Sequence, residues 1–288
     1  MRSFKKTVGK IWSKLKKVTA TVGKFTDTHT AVITACLMTA VTVALFIPVA
    51  GGVAKEAVTA SVSDWGLSFG DANTAPKGNV SNSELKKYDA CFMGDPDSNK
   101  IWLTFDAGYE NGYTAKILDV LKEKKVSATF FLVSHYMKTA PELVLRMAEE
   151  GHAVGNHTAT HPDMSKLSGT EALKAELEPV ERLYYDITGR EMPKYYRPPQ
   201  GKFSTDNLAC AKELGYKTIF WSLAYVDCNV NSQPDPQSSI DKLNSRIHGG
   251  AVVLLHSTSA TNAEILGTLI DEWRAMGYEF GSPEELFE

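Results

Sequence analysis

Seven short apolar runs, separated by stretches of helical periodicity, limit this chain more than any other feature. The runs are Ile101–Phe105, Ala128–Val133, Ala153–Gly155, Lys194–Arg197, Lys217–Ser222, Ala251–Leu255 and Tyr278–Phe280. Helical patterns fall between them, among them Tyr113–Lys124, Pro141–Glu150, Thr170–Thr188 and Thr205–Leu214. Strand-sized apolar runs alternating with helices predict βα units and a parallel sheet, either open or closed into a barrel. There is no internal repeat and no Gly-rich nucleotide fingerprint.

Ionisable residues fall at the ends of these runs. Asp106 follows the first, His157 the third, Arg197 the fourth and His256 the sixth, while Asp227 lies a few residues beyond the fifth. Parallel βα folds build their sites from loops at the carboxyl ends of strands, so these five residues are expected to converge on one face.

The 288-residue chain has a formal net charge of −3, which argues against a nucleic-acid partner but conceals an asymmetry. Residues 1–30 hold eight Lys or Arg against the single acid Asp27, so the remainder carries −10. Phe4, Val8, Ile11, Leu15, Val18, Val22 and Phe25 alternate steps of four and three, an amphipathic basic helix suited to an anionic inner leaflet or serving only as a positive topology signal. Ala31 to Ala50 then runs for twenty residues without a charge, long enough to cross a hydrocarbon core. It reads as a transmembrane anchor or as a secretory signal with candidate cleavage sites after Ala54 and Ala60, and both readings export the rest. The expected organisation is a basic cytoplasmic leader over 1–30, an anchor or signal over 31–54, a Gly/Ser/Asn-rich linker over 55–95 and one catalytic domain over 96–288. Cys36, Cys91, Cys210 and Cys228 form no Cys-x-x-Cys pair, so neither a disulfide framework nor a thiolate zinc site is indicated.

The polar residues at the strand ends each admit a plain and a chemical reading. His157-Thr-Ala-Thr-His161 spaces two imidazoles four residues apart, which in a helical turn would share one face and chelate a divalent ion. Pro162 and Gly155-Asn156 place the pair on a strand-end loop. Asp106 either caps the turn at Gly108 or acts as a general base beside a metal-bound water. Arg197-Pro-Pro-Gln-Gly201 is either a surface turn or a rigid mount for a cation that grips a carboxylate. His256, at the tip of Val252-Val253-Leu254-Leu255, is either a satisfied core histidine or a proton donor whose tautomer Asp227 holds. His29, His135, His152 and His248 read as structural or solvated.

These motifs, in this order, resemble those of the polysaccharide deacetylases, carbohydrate esterase family 4. The strings TFDAGYENGYTAKILDVLK, EEGHAVGNHT, FWSLAYVD and RIHGGAVVLLHSTSATNAEIL are similar to one subgroup, the peptidoglycan N-deacetylases that lead to muramic δ-lactam in spore cortex. The resemblance starts near Trp65-Gly66 and implies an α/β fold, a distorted (β/α) barrel of about seven parallel strands. It implies metal-assisted hydrolysis of the acetamide on peptidoglycan amino sugars, most specifically N-acetylmuramic acid. By the same resemblance Asp106 is the base, His157 and His161 are metal ligands, Arg197 orients Asp106, His256 is the acid and Asp227 tunes it. Gln200, Gly201 and Leu254 would line the substrate site, with a backbone N–H near Gln200 facing the oxyanion. Expected partners are peptidoglycan glycan strands and, through the N-terminal segment, the membrane, with a monomeric catalytic domain on the extracytoplasmic side or in the wall.

Three positions depart from the family pattern. Ala107 stands where a second Asp usually supplies a third metal ligand, so zinc or another divalent ion would be weakly held; Glu110 is a candidate substitute. Gln200 replaces an aromatic residue or an Arg, and Cys228 replaces a Trp, which reduces one wall of the sugar groove. Alternatives in keeping with these changes are an N-acetylglucosamine-directed deacetylase and a non-catalytic glycan-binding relative.

Overall fold

The computed structural model describes residues 62–288. The expected leader and apolar segment lie outside the described residues, and no helix among the described residues is long and apolar enough to cross a membrane. Among the described residues thirteen strands run in chain order: β1 (Val62–Asp64), β2 (Leu67–Ser68), β3 (Lys77–Gly78), β4 (Ala90–Cys91), β5 (Lys100–Ala107), β6 (Thr129–Leu132), β7 (Ala153–Asn156), β8 (Tyr195–Tyr196), β9 (Lys202–Ser204), β10 (Lys217–Ile219), β11 (Leu223–Ala224), β12 (Val252–His256) and β13 (Glu279–Phe280).

Nine of them form one sheet in the order β11-β12-β5-β6-β7-β8-β10-β4, with β13 beside β5, and every pairing in it is parallel. The sheet curls because one stretch of chain, Lys217–Ala224, serves both ends. Its β10 half pairs with β8 and β4, its β11 half pairs with β12, and Ser222 N–H donates to Val252 O at 2.9 Å between them. The βα alternation predicts the parallel sheet, and its curl is consistent with the distorted barrel that the family resemblance implies. All seven anticipated runs are strands, and the two-residue β4 and β11 are additions.

Burial explains the order. Central parallel strands are covered on both faces and read as unbroken apolar runs. In β5 every residue after Lys100 is buried, and in β6 all four are. Helices supply the outer layer. In Thr114–Lys124, Ile117, Leu118 and Leu121 face inward; in Thr170–Thr188, Leu173, Leu177, Val180 and Tyr184 do, at spacings of four and three. The first of these ends at left-handed Lys125 and the second at left-handed Gly189.

The described part of the expected linker is packed structure. β1 pairs antiparallel with β9, the helix Asn82–Leu85 and β4 follow, and Trp65, Leu85, Phe92 and Met93 join Phe203, Leu208 and Phe220 in a second apolar cluster. The domain therefore extends N-terminally past residue 96, because Trp65 and Phe92 bury their rings against the barrel although the chain around them is rich in turn residues.

Candidate active site

The strand register assembles the site. Across neighbouring strands His256 is level with Asp106, Asp106 with Phe131, Leu132 with Asn156, and Asn156 with Tyr196. His157 and Arg197 each follow one residue later, and their N–H groups continue the ladder to Leu132 O at 3.0 Å and Asn156 O at 3.1 Å. Residues distant in sequence thus emerge in one layer at the carboxyl ends of the strands.

Arg197 is fully buried and all of its direction is spoken for. Nε donates to Ile219 O at 2.9 Å, Nη2 to Phe220 O at 3.0 Å, and Nη1 to Thr104 Oγ1 at 2.9 Å and Asp106 Oδ1 at 2.8 Å. Its guanidinium lies 4.2 Å above the Phe131 ring. The surface-turn reading of the Arg197-Pro-Pro loop is excluded. Burial pushes the Asp106 carboxyl up, but Arg197, His157 and His256 together outweigh it and hold the group below the ordinary carboxylate value. Asp106 is an ionised carboxylate with one oxygen gripped and the other facing His157.

The two histidines meet by a route other than the helical turn. Residues 157–163 form an irregular loop, with Thr158 at φ 73° and His161 at φ 58°. Asn156 Oδ1 accepts from Thr158 N–H at 2.9 Å and Thr158 Oγ1 accepts from His161 N–H at 3.0 Å, which holds these left-handed residues in place. The rings end 5.0 Å apart, edge to face. His157 is buried, and burial pushes its pKa down to about 4, so it is neutral at neutral pH. Its Nδ1 donates to Arg197 O at 2.9 Å, which leaves the lone pair on Nε2, 3.6 Å from Asp106 Oδ2. Two electron-pair donors facing each other without a proton between them, with a second imidazole alongside, suit a cation.

Ala107 supplies no third ligand and is fully buried in the main apolar cluster. Glu110 does not replace it. Its Oε1 accepts from Gly112 N–H at 2.6 Å and Thr114 N–H at 3.4 Å, and its Oε2 from Tyr136 O–H at 3.2 Å, so it caps the helix Thr114–Lys124. Among the described residues no group of three or more His, Cys, Asp or Glu side chains is placed to hold a metal ion.

On the neighbouring strand His256 Nδ1 donates to Asp227 Oδ1 at 2.7 Å, and His256 N–H donates to Asp227 Oδ2 at 2.8 Å. Asp227 is 1% exposed, whereas the His256 side chain is 30% exposed, so the imidazole presents Nε2 to the open face. Burial lowers its pKa, but the hydrogen bond and charge of Asp227, with Asp106 behind them, outweigh this and raise it above 6.5. Gln200 is exposed at φ 57°, and Gly201, at φ 68°, sits against Trp65 and Trp221. Leu254 is 6% exposed on β12. His152 and His248 are buried away from these groups and His135 is exposed on the helix Ser134–Thr139.

Thr104 and Asn262 belong to the site although their sequence context does not mark them. Thr104 Oγ1 accepts from Arg197 and donates to Val253 O at 2.7 Å. Asn262 Nδ2 donates to Asp227 Oδ2 at 2.6 Å across 35 residues of chain. A period-two pattern on β5 does put Thr104 on the same face as Asp106; nothing local flags Asn262.

Comparisons with known proteins identify the family. A family profile described as polysaccharide deacetylase matches residues 93–219. The chain is 42% identical over 239 residues to the peptidoglycan-N-acetylmuramic acid deacetylase PdaA of Bacillus subtilis, covering 82% of this chain and 90% of the relative. The solved structure of Bacillus subtilis PdaA, a family 4 carbohydrate esterase, superposes with a TM-score of 0.75 at 40% identity, covering 78% of this chain and 97% of that one. A family 4 pseudoenzyme from Bacillus anthracis superposes with a TM-score of 0.64 at 27% identity over 73% of this chain and 70% of its own. The described domain, with its curled parallel sheet and strand-end site, belongs to the polysaccharide deacetylase family.

Proposed function

We propose that this chain is a metal-dependent hydrolase that removes the N-acetyl group from peptidoglycan amino sugars, with N-acetylmuramic acid as its sugar and muramic δ-lactam in spore cortex as the product of the route it serves. The observation that carries the reading is a carboxylate and an imidazole on adjacent strands, each held by its own buried partner of opposite charge. Asp106 is held as a carboxylate by Arg197, while His256 is held as a proton carrier by Asp227. Amide hydrolysis needs both, a base for the attacking water and an acid for the departing amine.

A divalent ion bound by His157 and His161 would polarise the acetamide carbonyl and bring the pKa of water from about 15.7 towards 7. With two imidazoles as its protein ligands and Ala107 beside them, it would bind weakly and exchange readily. Asp106 takes the proton of the attacking water through the oxygen that Arg197 leaves open. His256 gives the proton on Nε2 to the sugar nitrogen as the carbon–nitrogen bond breaks, and Asp227 keeps the other ring proton in place. The left-handed Gln200 turn carries the backbone N–H proposed to face the oxyanion, and Gly201 and Leu254 line the sugar's approach. A glycan substrate places the domain outside the cytoplasm, in line with export by residues 31–54 as anchor or signal.

Acetate release from peptide-free glycan strands, titrated with divalent ions, tests the activity. Mass spectra of muropeptides from cells with and without the gene test the sugar. Loss of muramic δ-lactam in the deletion supports the muramic reading; a change confined to glucosamine acetylation supports the N-acetylglucosamine alternative. Glycan binding without acetate release under any ion would leave a binding protein, the outcome that the family's pseudoenzyme and the missing carboxylate at 107 make worth measuring.

A further inference from the structure

Asp227 lies on a loop that secondary structure does not hold. Its neighbours Val226 and Cys228 are exposed, Val226 by 77%, yet Asp227 itself is 1% exposed. Besides His256, two side chains fix it. Gln233 Nε2 donates to its backbone carbonyl at 3.2 Å. Asn262, fully buried in the first turn of the helix Ala260–Ala275, addresses its carboxylate.

The Asn262 amide uses both of its donors and accepts one hydrogen bond. One Nδ2 hydrogen goes to Asp227 Oδ2 at 2.6 Å and the other to His256 O at 3.0 Å, while Oδ1 accepts from Tyr225 O–H at 2.5 Å. The direction of the amide follows from its two acceptor-only partners, the Asp227 carboxylate and the His256 carbonyl, which both need the Nδ2 hydrogens. A flipped amide would set Oδ1 against the Asp227 carboxylate, a repulsive contact in a site closed to water. Tyr225 O–H donates to the remaining Oδ1 and braces the amide from its far side, and Asp227 in turn meets His256 Nδ1.

We infer that Asn262, braced by Tyr225, is a positioning residue that aims Asp227 so that His256 keeps its proton on Nδ1 and its reactive nitrogen, Nε2, toward the substrate. The inference rests on the deacetylase reading for its kinetic consequence, but not for its structural one. An imidazole that loses its Nδ1 acceptor redistributes between two tautomers, and only one presents a regenerable acid at Nε2.

The test uses the full-length protein with Asn262→Leu, which keeps the volume and removes both donors, and Tyr225→Phe, which removes only the phenolic proton. Histidine labelled with ¹⁵N, with His256 assigned from His256→Gln, is observed at a pH where the ring is neutral. The expected result is a His256 Nδ1 signal of protonated type in the parent, moving toward the unprotonated type in both variants. Acetate release should lose about 100-fold in kcat for Asn262→Leu and about 10-fold for Tyr225→Phe, with KM within about twofold, since a placed general acid contributes about 10²–10⁴-fold. Should Asn262→Leu not fold, Tyr225→Phe decides alone. An unchanged tautomer and unchanged kcat in a folded variant would overturn the inference. Should the parent release no acetate, the deacetylase reading fails while the tautomer measurement still decides this one.

Discussion

Asp106 and His256 stand level in the β5–β12 ladder, and each is turned to a different chemistry by a buried partner on its far side. Arg197 Nη1 reaches Asp106 at 2.8 Å, and Asp227 reaches His256 at 2.7 Å. Neither partner touches the other's client, so each contact can be removed without breaking the other, although the charges of Asp106 and His256 also act on one another. Asp106→Asn keeps the shape and the Arg197 contact but removes the proton acceptor. Turnover should fall by about 10²–10⁴-fold while metal content, read by elemental analysis, persists. His157→Ala should instead lose the metal, because the lone pair on Nε2 goes with it. Equal activity in either variant contradicts the roles.

The proposed acid has a readable pH signature. Burial alone would lower the His256 pKa, and it is raised above 6.5 only because the Asp227 hydrogen bond and charge outweigh burial. The imidazolium therefore persists to higher pH than in a free histidine, and kcat should fall as pH rises through that raised value. The stability the pair contributes has the same sign: present in full below 6.5 and lost as pH rises through the folded-state value. In Asp227→Asn burial wins, and the alkaline limb of the kcat profile should move down to 6.5 or below. A limb that stays put would assign it to another group.

The parts of this domain that were legible in the sequence are those with enough residues to carry a period. Eight-residue β5 and the helix Thr170–Thr188 declare themselves, and so do the ionisable residues at the strand ends. The two-residue strands β4 and β11 hold no period, yet β11 closes the sheet. The histidine spacing was informative for the wrong reason: the rings meet through two left-handed residues and the Asn156 side chain, not through a helical turn. Glu110 was attractive by proximity alone, and its lone pairs are consumed by a helix end. Asn262 could not be read at all, since its role exists only once helix Ala260–Ala275 and the Asp227 loop are folded together.

Acid stability should depend on a histidine outside the chemistry. His152 is buried, its Nδ1 accepts from Ala128 N–H at 3.2 Å, and burial pushes its pKa down to about 4. An unfolded chain would take up this proton near 6.5 and the folded one only near 4, so stability falls as pH drops through that window. The interval is worth at most ~3 kcal/mol. His157, also at about 4, adds in the same sense. His152→Gln should flatten the dependence of Tm on pH between 6.5 and 4 relative to the parent. An unchanged slope would exclude His152 as its source.

The segment after residue 61 should matter to catalysis, not only to export. Trp65 N–H donates to Gly201 O, and Trp65 Nε1–H to Trp221 O, each at 2.9 Å, while its ring packs 4.9 Å from that of Phe220, whose carbonyl holds Arg197. Gly201 is shaped to this contact. At φ 68°, a Cβ on it would lie 2.7 Å from Trp65 Cβ and 2.8 Å from Trp221. Gly201→Ala therefore combines a left-handed penalty of about 1–2 kcal/mol with overpacking of about 1–3 kcal/mol. It should lower Tm and, by displacing the Gln200 turn, kcat. Trp65→Gly removes that Cβ together with the buttress, so it should lose stability by at least the about 3–5 kcal/mol of a buried aromatic truncation. Combining the two separates the causes. If Trp65→Gly makes room for the methyl group, Gly201→Ala will cost less in that background than in the parent, and the difference in unfolding free energy measures how strongly the N-terminal segment and the substrate loop are coupled. Strict additivity would mean that Trp65 supports the barrel but does not shape the loop.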